Sequence, residues 1–288
     1  MSEAPPRPLE LTRLAAEHLA GRGVADPRLD AELLLAHVLG VRRLDLYLQF
    51  ERPLEPAEVA AYREAIRRRS RREPLQYITG EAHFRELVLR VDGRVLVPRP
   101  ETEVLVGAVL QWAGARRPDG AVLDLGTGSG AILISLLVEG RFGRGVGTDV
   151  STDALAVASE NAARASVVDR VELRQGSVWE PIGDRERFDV IVSNPPYVAD
   201  TEREALMPEV RDYEPSLALF AGADGLSVVR EIVRGAAERL APGGLLGLEV
   251  GVGQAAAVME LARRHGLAEA RVVEDLAGRE RVVLASRQ

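Results

Sequence analysis

The sequence predicts an α/β, Rossmann-like fold with a mainly parallel seven-stranded sheet, preceded by a small N-terminal helical domain and a β-hairpin linker. Three observations carry this. From Gly120 to the end, short β-branched runs alternate with helical stretches, the pattern of a parallel sheet covered on both faces. A glycine-rich turn follows the first run, and the second run ends in an acid about twenty residues later, as nucleotide-type sites require. Before about residue 72, apolar residues recur only at helical spacing.

In chain order, Leu9, Leu11, Leu14, Ala15 and Leu19 mark one helix, and Ala31, Leu34, Leu35 and Val38 mark a second over Asp30 to Leu39, closed by a turn at Gly40. Pro56 opens a third, Ala57 to Arg72, because the first turn of a helix has no use for the N–H that proline lacks. That helix ends in Arg67-Arg68-Arg69-Ser70-Arg71-Arg72, which reads as a solvated terminus favoured by the helix dipole. The sharper alternative is an anion-facing patch for a partner or RNA. Leu87 to Val91 and Val95 to Val97 flank Asp92-Gly93-Arg94, a hairpin signal that makes residues 74–100 a linker. Pro98-Arg99-Pro100-Glu101-Thr102-Glu103 then leads into a helix to about Ala115.

The expected sheet strands are Ala121–Leu125, Gly145–Asp149, Val171–Arg174, Phe188–Ser193, Leu245–Val250, Arg271–Glu274 and Arg281–Ala285. Helices Ser129–Glu139, Ser151–Ala165, Leu226–Leu240 and Gly253–His265 lie between them. No helix fits between the last two strands. Asp275 to Gly278 only turns the chain back, so one of that pair is expected to be antiparallel. The expected domains are residues 1–73 (helical), 74–100 (linker) and 101–288 (the α/β domain).

Composition narrows the function classes. The 288 residues have room for one large domain or two smaller ones, and 46% hydrophobic residues suffice for a core. A net charge of −7 argues against gripping nucleic acid by bulk electrostatics. The absence of cysteine excludes disulfides, thiolate nucleophiles and Cys-ligated zinc. His18, His37, His83 and His265 show no metal-ligand spacing, so no metal site is expected. The first eight residues contain no apolar signal region, and no run of eighteen apolar residues follows; the reading is a cytoplasmic protein. Every basic residue other than the histidines is arginine.

Two motifs carry chemistry. Asp124 to Gly130 (DLGTGSG) joins the first sheet strand to its helix, and Gly126, Gly128 and Gly130 allow a tight turn and a close ligand approach. The spacing is not that of the dinucleotide fingerprint. Asp149 ends the next strand, where an acid accepts hydrogen bonds from ribose hydroxyls or caps the helix that starts near Ser151. No G-K-[ST] sequence cradles a triphosphate, so a nucleoside cofactor without phosphates, S-adenosylmethionine, fits best. At the third strand's end, Val178 or Trp179 is expected against its adenine, with core packing as the alternative for Trp179.

The second motif is Ser193-Asn194-Pro195-Pro196-Tyr197, after the buried run Phe188 to Val192. Asn194 brings an amide acceptor and donor. Pro195 and Pro196 fix φ and offer carbonyls without N–H groups, and Tyr197 adds an aromatic wall. A stiff acceptor pair beside an aromatic face suits a planar group bearing an NH2, either an amide or a base amine. A plain Asn-Pro turn is the bland alternative.

Together these motifs resemble the HemK-type protein glutamine-N5 methyltransferases, with further matches in Val97 to Glu103 (VPRPETE), Gln76 to Gly80, Glu214 to Ala218, Asp224 to Leu226, Pro242 to Gly244 and Leu248 to Gly251. The resemblance runs from about residue 8 to the C-terminus. It implies a class I methyltransferase fold, S-adenosylmethionine as donor, and the Gln of a Gly-Gly-Gln motif in class 1 peptide chain release factors as acceptor. By position it implies that Gly126, Thr127, Gly128, Ser129, Gly130, Asp149, Val178, Trp179 and Asn194 bind cofactor. Asn194, Pro195, Pro196 and Tyr197 would bind the substrate Gln, with Asn194, Pro195 and Tyr197 catalytic. The chain departs from the family at Ser177, where an acid is frequent, and at Arg85-Glu86, where Tyr-Gly is common. The Asn-Pro-Pro-Tyr stretch is shared with methyltransferases that act on adenine amines in nucleic acid. That activity, a Gln of a ribosomal protein as acceptor, and a non-catalytic adenosyl-ligand-binding module are the competing readings.

Overall fold

Proline starts three of the N-terminal helices: α1 (Pro8–Ala20), α2 (Pro27–Leu39) and, after the short α3 (Arg43–Leu48), α4 (Pro56–Ser70). α2 stops at Gly40, whose φ of 64° is left-handed. Pro74 precedes one more turn, α5 (Leu75–Thr79). The short α3 and α5 escape sequence reading because neither completes two turns of apolar period. The apolar faces of these helices meet in a core built on Leu19, Ala31, Leu34, Leu35, Leu46 and Tyr62, and the Tyr62 hydroxyl donates to the Ala31 carbonyl at 3.0 Å.

The computed structural model describes residues 6–114 and 119–288, so the expected helix end at Ala115 lies outside the described residues. The chain forms two compact units. One comprises the residues up to Gly80 together with Met207–Tyr213; the other is Glu81–Leu206 with Glu214–Gln288. The first unit thus recruits a segment distant in sequence, and the arginine run holds it there. Arg69, only 6% exposed, donates to Asp30 at 2.7 Å and to Glu209 at 2.9 Å, and Arg72 donates to both Glu209 oxygens at 2.7 and 2.6 Å. Arg67 pairs with Glu64, and Arg68 with Glu73 at 2.9 Å. Much of the run is therefore neutralised within its own unit. A buried guanidinium is tolerated because two carboxylates repay its desolvation.

In the second unit a two-stranded hairpin precedes the main sheet, one segment earlier than expected. β1 (Glu81–Phe84) pairs antiparallel with β2 (Leu87–Arg90), Phe84 opposite Leu87. The tight turn is Arg85-Glu86, not Asp92-Gly93-Arg94, and Val95 to Val97 form no strand. Ala82, Phe84, Leu87 and Leu89 alternate with exposed residues and give the true pair its buried face. Asp92-Gly93-Arg94 is only a local turn, closed by Arg94 on Asp92 at 2.8 and 2.7 Å. Arg85 adopts φ 51°, uncommon outside glycine. It is held there by its N–H to Glu103 at 3.0 Å and its guanidinium to Glu139 at 2.7 Å.

The main sheet follows the alternation closely: α6 (Thr102–Ala113), β3 (Ala121–Leu125), α7 (Ala131–Glu139), β4 (Arg144–Asp149), α8 (Thr152–Arg164), β5 (Val171–Gln175) and β6 (Phe188–Ser193). After α9 (Pro208–Tyr213), the helix lent to the first unit, come α10 (Ser227–Arg239), β7 (Leu240–Glu249), α11 (Ala255–Arg264), β8 (Leu267–Glu274) and β9 (Glu280–Arg287). The strand order is β5-β4-β3-β6-β7-β9-β8. β9 runs antiparallel to both neighbours, and the other pairings are parallel. The missing crossover helix therefore has the expected consequence. The chain leaves β3 toward β4 on one side and returns to β6 on the other, so a crevice opens at the carboxyl ends of β3 and β6. The Ser193 hydroxyl ties those ends together by donating to the Leu125 carbonyl at 2.6 Å. No helix among the described residues is long and apolar enough to cross a membrane.

Candidate functional site

The crevice is a cavity of about 360 Å³, and both sequence motifs reach it. On one side lie Gly126 to Ser129. Gly126 and Gly128 have φ of 73° and 54°, and a Cβ added to either would meet nothing within 4 Å. The loop backbone therefore lies open to a ligand. The loop is fixed from beneath: the Gly126 and Thr127 N–H groups both donate to the Thr148 carbonyl, at 2.9 and 2.8 Å. The Thr127 hydroxyl donates to Asp124 at 2.7 Å. Burial lifts the Asp124 carboxyl to about 7. Asn161 of α8, which sequence reading passed over, joins the loop to the hairpin by donating to the Ser129 carbonyl at 2.9 Å and accepting from the Arg90 N–H at 2.7 Å. Gly130 does not line the cavity; a Cβ there would stand 2.7 Å from Ile134, so it is a packing glycine at the start of α7.

Asp149 lines the cavity with its carboxylate bonded to two backbone N–H groups, Gly128 and Ser151, each at 2.9 Å. Each oxygen keeps a further acceptor direction. The two readings of Asp149, ribose acceptor and local cap, are thus compatible in one geometry. Val178 also lines the cavity, at φ 42°. Trp179 does not: its indole N–H donates to the Glu231 carbonyl at 2.9 Å, and the Arg239 guanidinium lies 4.8 Å from its ring centre.

The other wall is Asn194, Pro195 and Pro196, with Phe220 nearby. Tyr197, expected there, is not a lining residue. Its hydroxyl stands 3.4 Å from Glu249, and burial pushes its pKa upward, so it remains a donor. Its carbonyl accepts from Gln254 at 3.1 Å. Gly225, at φ 70°, is required beside it, since a Cβ there would collide with the Tyr197 carbonyl oxygen. The Asp-Gly-Leu motif and Gln254 therefore clamp the backbone of this stretch.

Behind Asn194 lies a buried relay that sequence reading did not assemble. Asn194 Nδ2 donates to the Thr102 hydroxyl at 3.1 Å, and the Thr102 hydroxyl donates to Glu249 at 2.6 Å. Burial lifts the Glu249 carboxyl to about 7 against the pull of Thr102 and Arg281. The one available signal was an acid at the end of the apolar run Leu245 to Val250, where acids are rarely buried unless paired. The Arg-Pro and Glu-Pro-Ser motifs also meet, Arg99 donating to the buried Glu214 at 2.5 Å.

Residues 10–80 match the family model described as the PrmC N-terminal domain, and residues 102–210 match the methyltransferase small domain. The release factor glutamine methyltransferase of Geobacter sulfurreducens is 46% identical, over 92% of this chain and 92% of its own length. That of Cereibacter sphaeroides is 44% identical, over 97% and 98%. A 16S rRNA methyltransferase of T. thermophilus, solved with AdoMet and guanosine, covers 72% of this chain and 50% of its own at 20% identity and a TM-score of 0.54, a shared fold.

Proposed function

The chain belongs to the release factor glutamine methyltransferases, and from that footing we propose that it methylates the side-chain amide nitrogen (N5) of the Gln in the Gly-Gly-Gln motif of class 1 peptide chain release factors, with S-adenosylmethionine as donor. The observation that carries this is the meeting of Asn194-Pro195-Pro196 and the Gly126–Ser129 loop in one cavity. A nitrogen-bearing group and an adenosyl group are thereby held side by side.

The residues present fit the donor. About 360 Å³ is within the range of small-molecule sites, the two open glycines leave backbone free for close approach, and Asp149 retains acceptor capacity for ribose hydroxyls. Val178 is the face offered to adenine, and Trp179 supports it from the core. When bound, S-adenosylmethionine supplies an electrophilic methyl group.

An amide nitrogen is a poor nucleophile because its lone pair is delocalised into the carbonyl. The chain offers no thiolate, so its contribution is position and charge. The Asn194 side-chain oxygen and the Pro195 carbonyl accept the two N–H bonds of the substrate amide. They hold the nitrogen in place and stabilise the positive charge that develops on it. One such contact is worth about 3 kcal/mol of barrier, by analogy with a single oxyanion-hole donor. The methylated nitrogen is strongly acidic and loses its proton to water, so no dedicated base is needed. Tyr197 acts as an anchor for this stretch, and Phe220 takes the place of the aromatic wall. The helical unit, with its own family match over residues 10–80, recognises the protein substrate, and a release factor as partner places the reaction in the cytoplasm.

The test is methylation of intact release factor with labelled donor, followed by mass spectrometry of the Gly-Gly-Gln peptide. One methyl on that Gln, absent from a Gln→Ala release factor, is the expected result. Label on DNA or a ribosomal protein with none on the release factor would overturn the assignment.

A further inference from the structure

We propose that Thr102 and Glu249 are positioning residues that decide which end of the Asn194 amide faces the substrate. The inference rests on the function just proposed and concerns how its acceptor is aimed.

The two ends of an Asn amide have the same shape and opposite hydrogen-bonding character. Only one orientation serves a substrate NH2: the oxygen must face the cavity. The opposite orientation would set one NH2 against another, and the substrate nitrogen would lose an acceptor. Something must therefore hold the amide in one sense.

The relay behind Asn194 does this by simple proton accounting. Glu249 is 1% exposed, and in its ionised form, the one held above the pH of about 7 to which burial lifts its titration, it can only accept. Two hydroxyls face it, Thr102 at 2.6 Å and Tyr197 at 3.4 Å. The Thr102 hydroxyl has one proton, and Glu249 takes it. Toward Asn194 the hydroxyl then offers only lone pairs, so the group 3.1 Å away must be the Nδ2 donor. With Nδ2 engaged inward, the planar amide turns its oxygen the other way, where no protein donor among the described residues meets it. The charge on Glu249 thus fixes the direction of every bond in the series, and the last consequence is an acceptor presented to the substrate. Thr102 is itself buried, 3% exposed, at the first turn of α6, while Glu249 ends β7. The relay therefore rests on two rigid elements.

The experiment compares wild type with Thr102→Val, Thr102→Ser and Glu249→Gln on intact release factor, with S-adenosylhomocysteine binding measured for each by calorimetry. Val keeps the shape but breaks the series. We expect kcat to fall by about 10- to 100-fold, the scale of a misaimed group, with KM for release factor and affinity for S-adenosylhomocysteine unchanged. Ser restores the hydroxyl and should recover most of the rate. Gln at 249 can both donate and accept, so the series can run in either direction and an intermediate rate is expected. Side-chain amide NMR gives a readout independent of turnover: the Asn194 NH2 signal, identified by its loss in Asn194→Asp, should shift in Thr102→Val and return in Thr102→Ser. Wild-type kcat in Thr102→Val, or a Thr102→Ser variant as slow as Val, overturns the inference. Should Thr102→Val fail to fold, a Glu249→Gln variant with wild-type kcat and an unmoved Asn194 signal overturns it equally. If wild type leaves release factor unmethylated, the functional reading fails, while the NMR result still decides the amide orientation.

Discussion

Replacing Glu249 by Gln removes a buried charge while keeping the side chain's size, and its effect on stability has a definite sign. In the unfolded chain this carboxyl titrates near its ordinary 4.5; in the folded protein burial raises it to about 7, with Thr102, Tyr197 and Arg281 opposing and Glu101 reinforcing the rise. Between those values the folded state holds a proton that the unfolded state has released. Stability therefore falls as pH rises through this window. The rise from 4.5 to about 7, at about 1.4 kcal/mol per pH unit, makes a loss of about 3 kcal/mol, present in full above pH 7 and absent below pH 4.5. Gln does not titrate. The advantage of Glu249→Gln over wild type should therefore grow by about 3 kcal/mol from acid to mildly alkaline pH. Asp124, also lifted to about 7, is common to both proteins and cancels in the difference. Trp112 and Trp179, the chain's two tryptophans, both lie in the second unit, so urea titrations followed by their fluorescence at several pH values report on the right part of the molecule. A difference that is flat with pH, or that shrinks as pH rises, would refute the reasoning. The same variant should be slower at methyl transfer, so the buried charge costs stability where it aids function.

Three further outcomes follow from the same geometry. Asp149→Ala should weaken S-adenosylmethionine binding by calorimetry without unfolding the protein, because the lost groups are two loop N–H contacts and a cavity-facing acceptor; unchanged affinity would remove Asp149 from the site. Gly225→Ala should sharply lower methyl transfer while leaving cofactor affinity near wild type, since its Cβ would displace the Tyr197 carbonyl and not the glycine loop; a normal rate would show that the clamp is dispensable. Asn194→Ala should lose kcat and Asn194→Asp should retain far more in single-turnover assays, because a carboxylate still accepts the substrate N–H bonds. Equal loss in both would mean that the Asn194 NH2, the donor to Thr102, carries the larger part of its role.

The amino-acid sequence by itself determined the periodic features. Alternating strand and helix runs announced a parallel sheet, because burial on both faces imposes continuous apolar strands. The short Asp275–Gly278 turn announced the single antiparallel strand, because no crossover fits in it. The glycine loop and the Asn-Pro-Pro stretch were legible because each packs its chemistry into a few adjacent residues. What the tertiary structure alone decided are contacts between residues far apart in sequence. Asp92-Gly93 looked like the hairpin turn, yet the strand pairing followed the alternating face of Glu81–Phe84 and Leu87–Arg90, since buried area outweighs a local turn preference. The basic run looked solvated, but Asp30 and Glu209 neutralise Arg69 across 39 and 140 residues. Tyr197 and Trp179 read as site aromatics and turned out to anchor the site's walls, because which way a ring faces depends on the elements packed against it. The Asn194–Thr102–Glu249 relay joins residues 92 and 147 positions apart. Its direction depends on a carboxylate charge that only burial against α6 and β6 gives its meaning, and no local pattern encodes that.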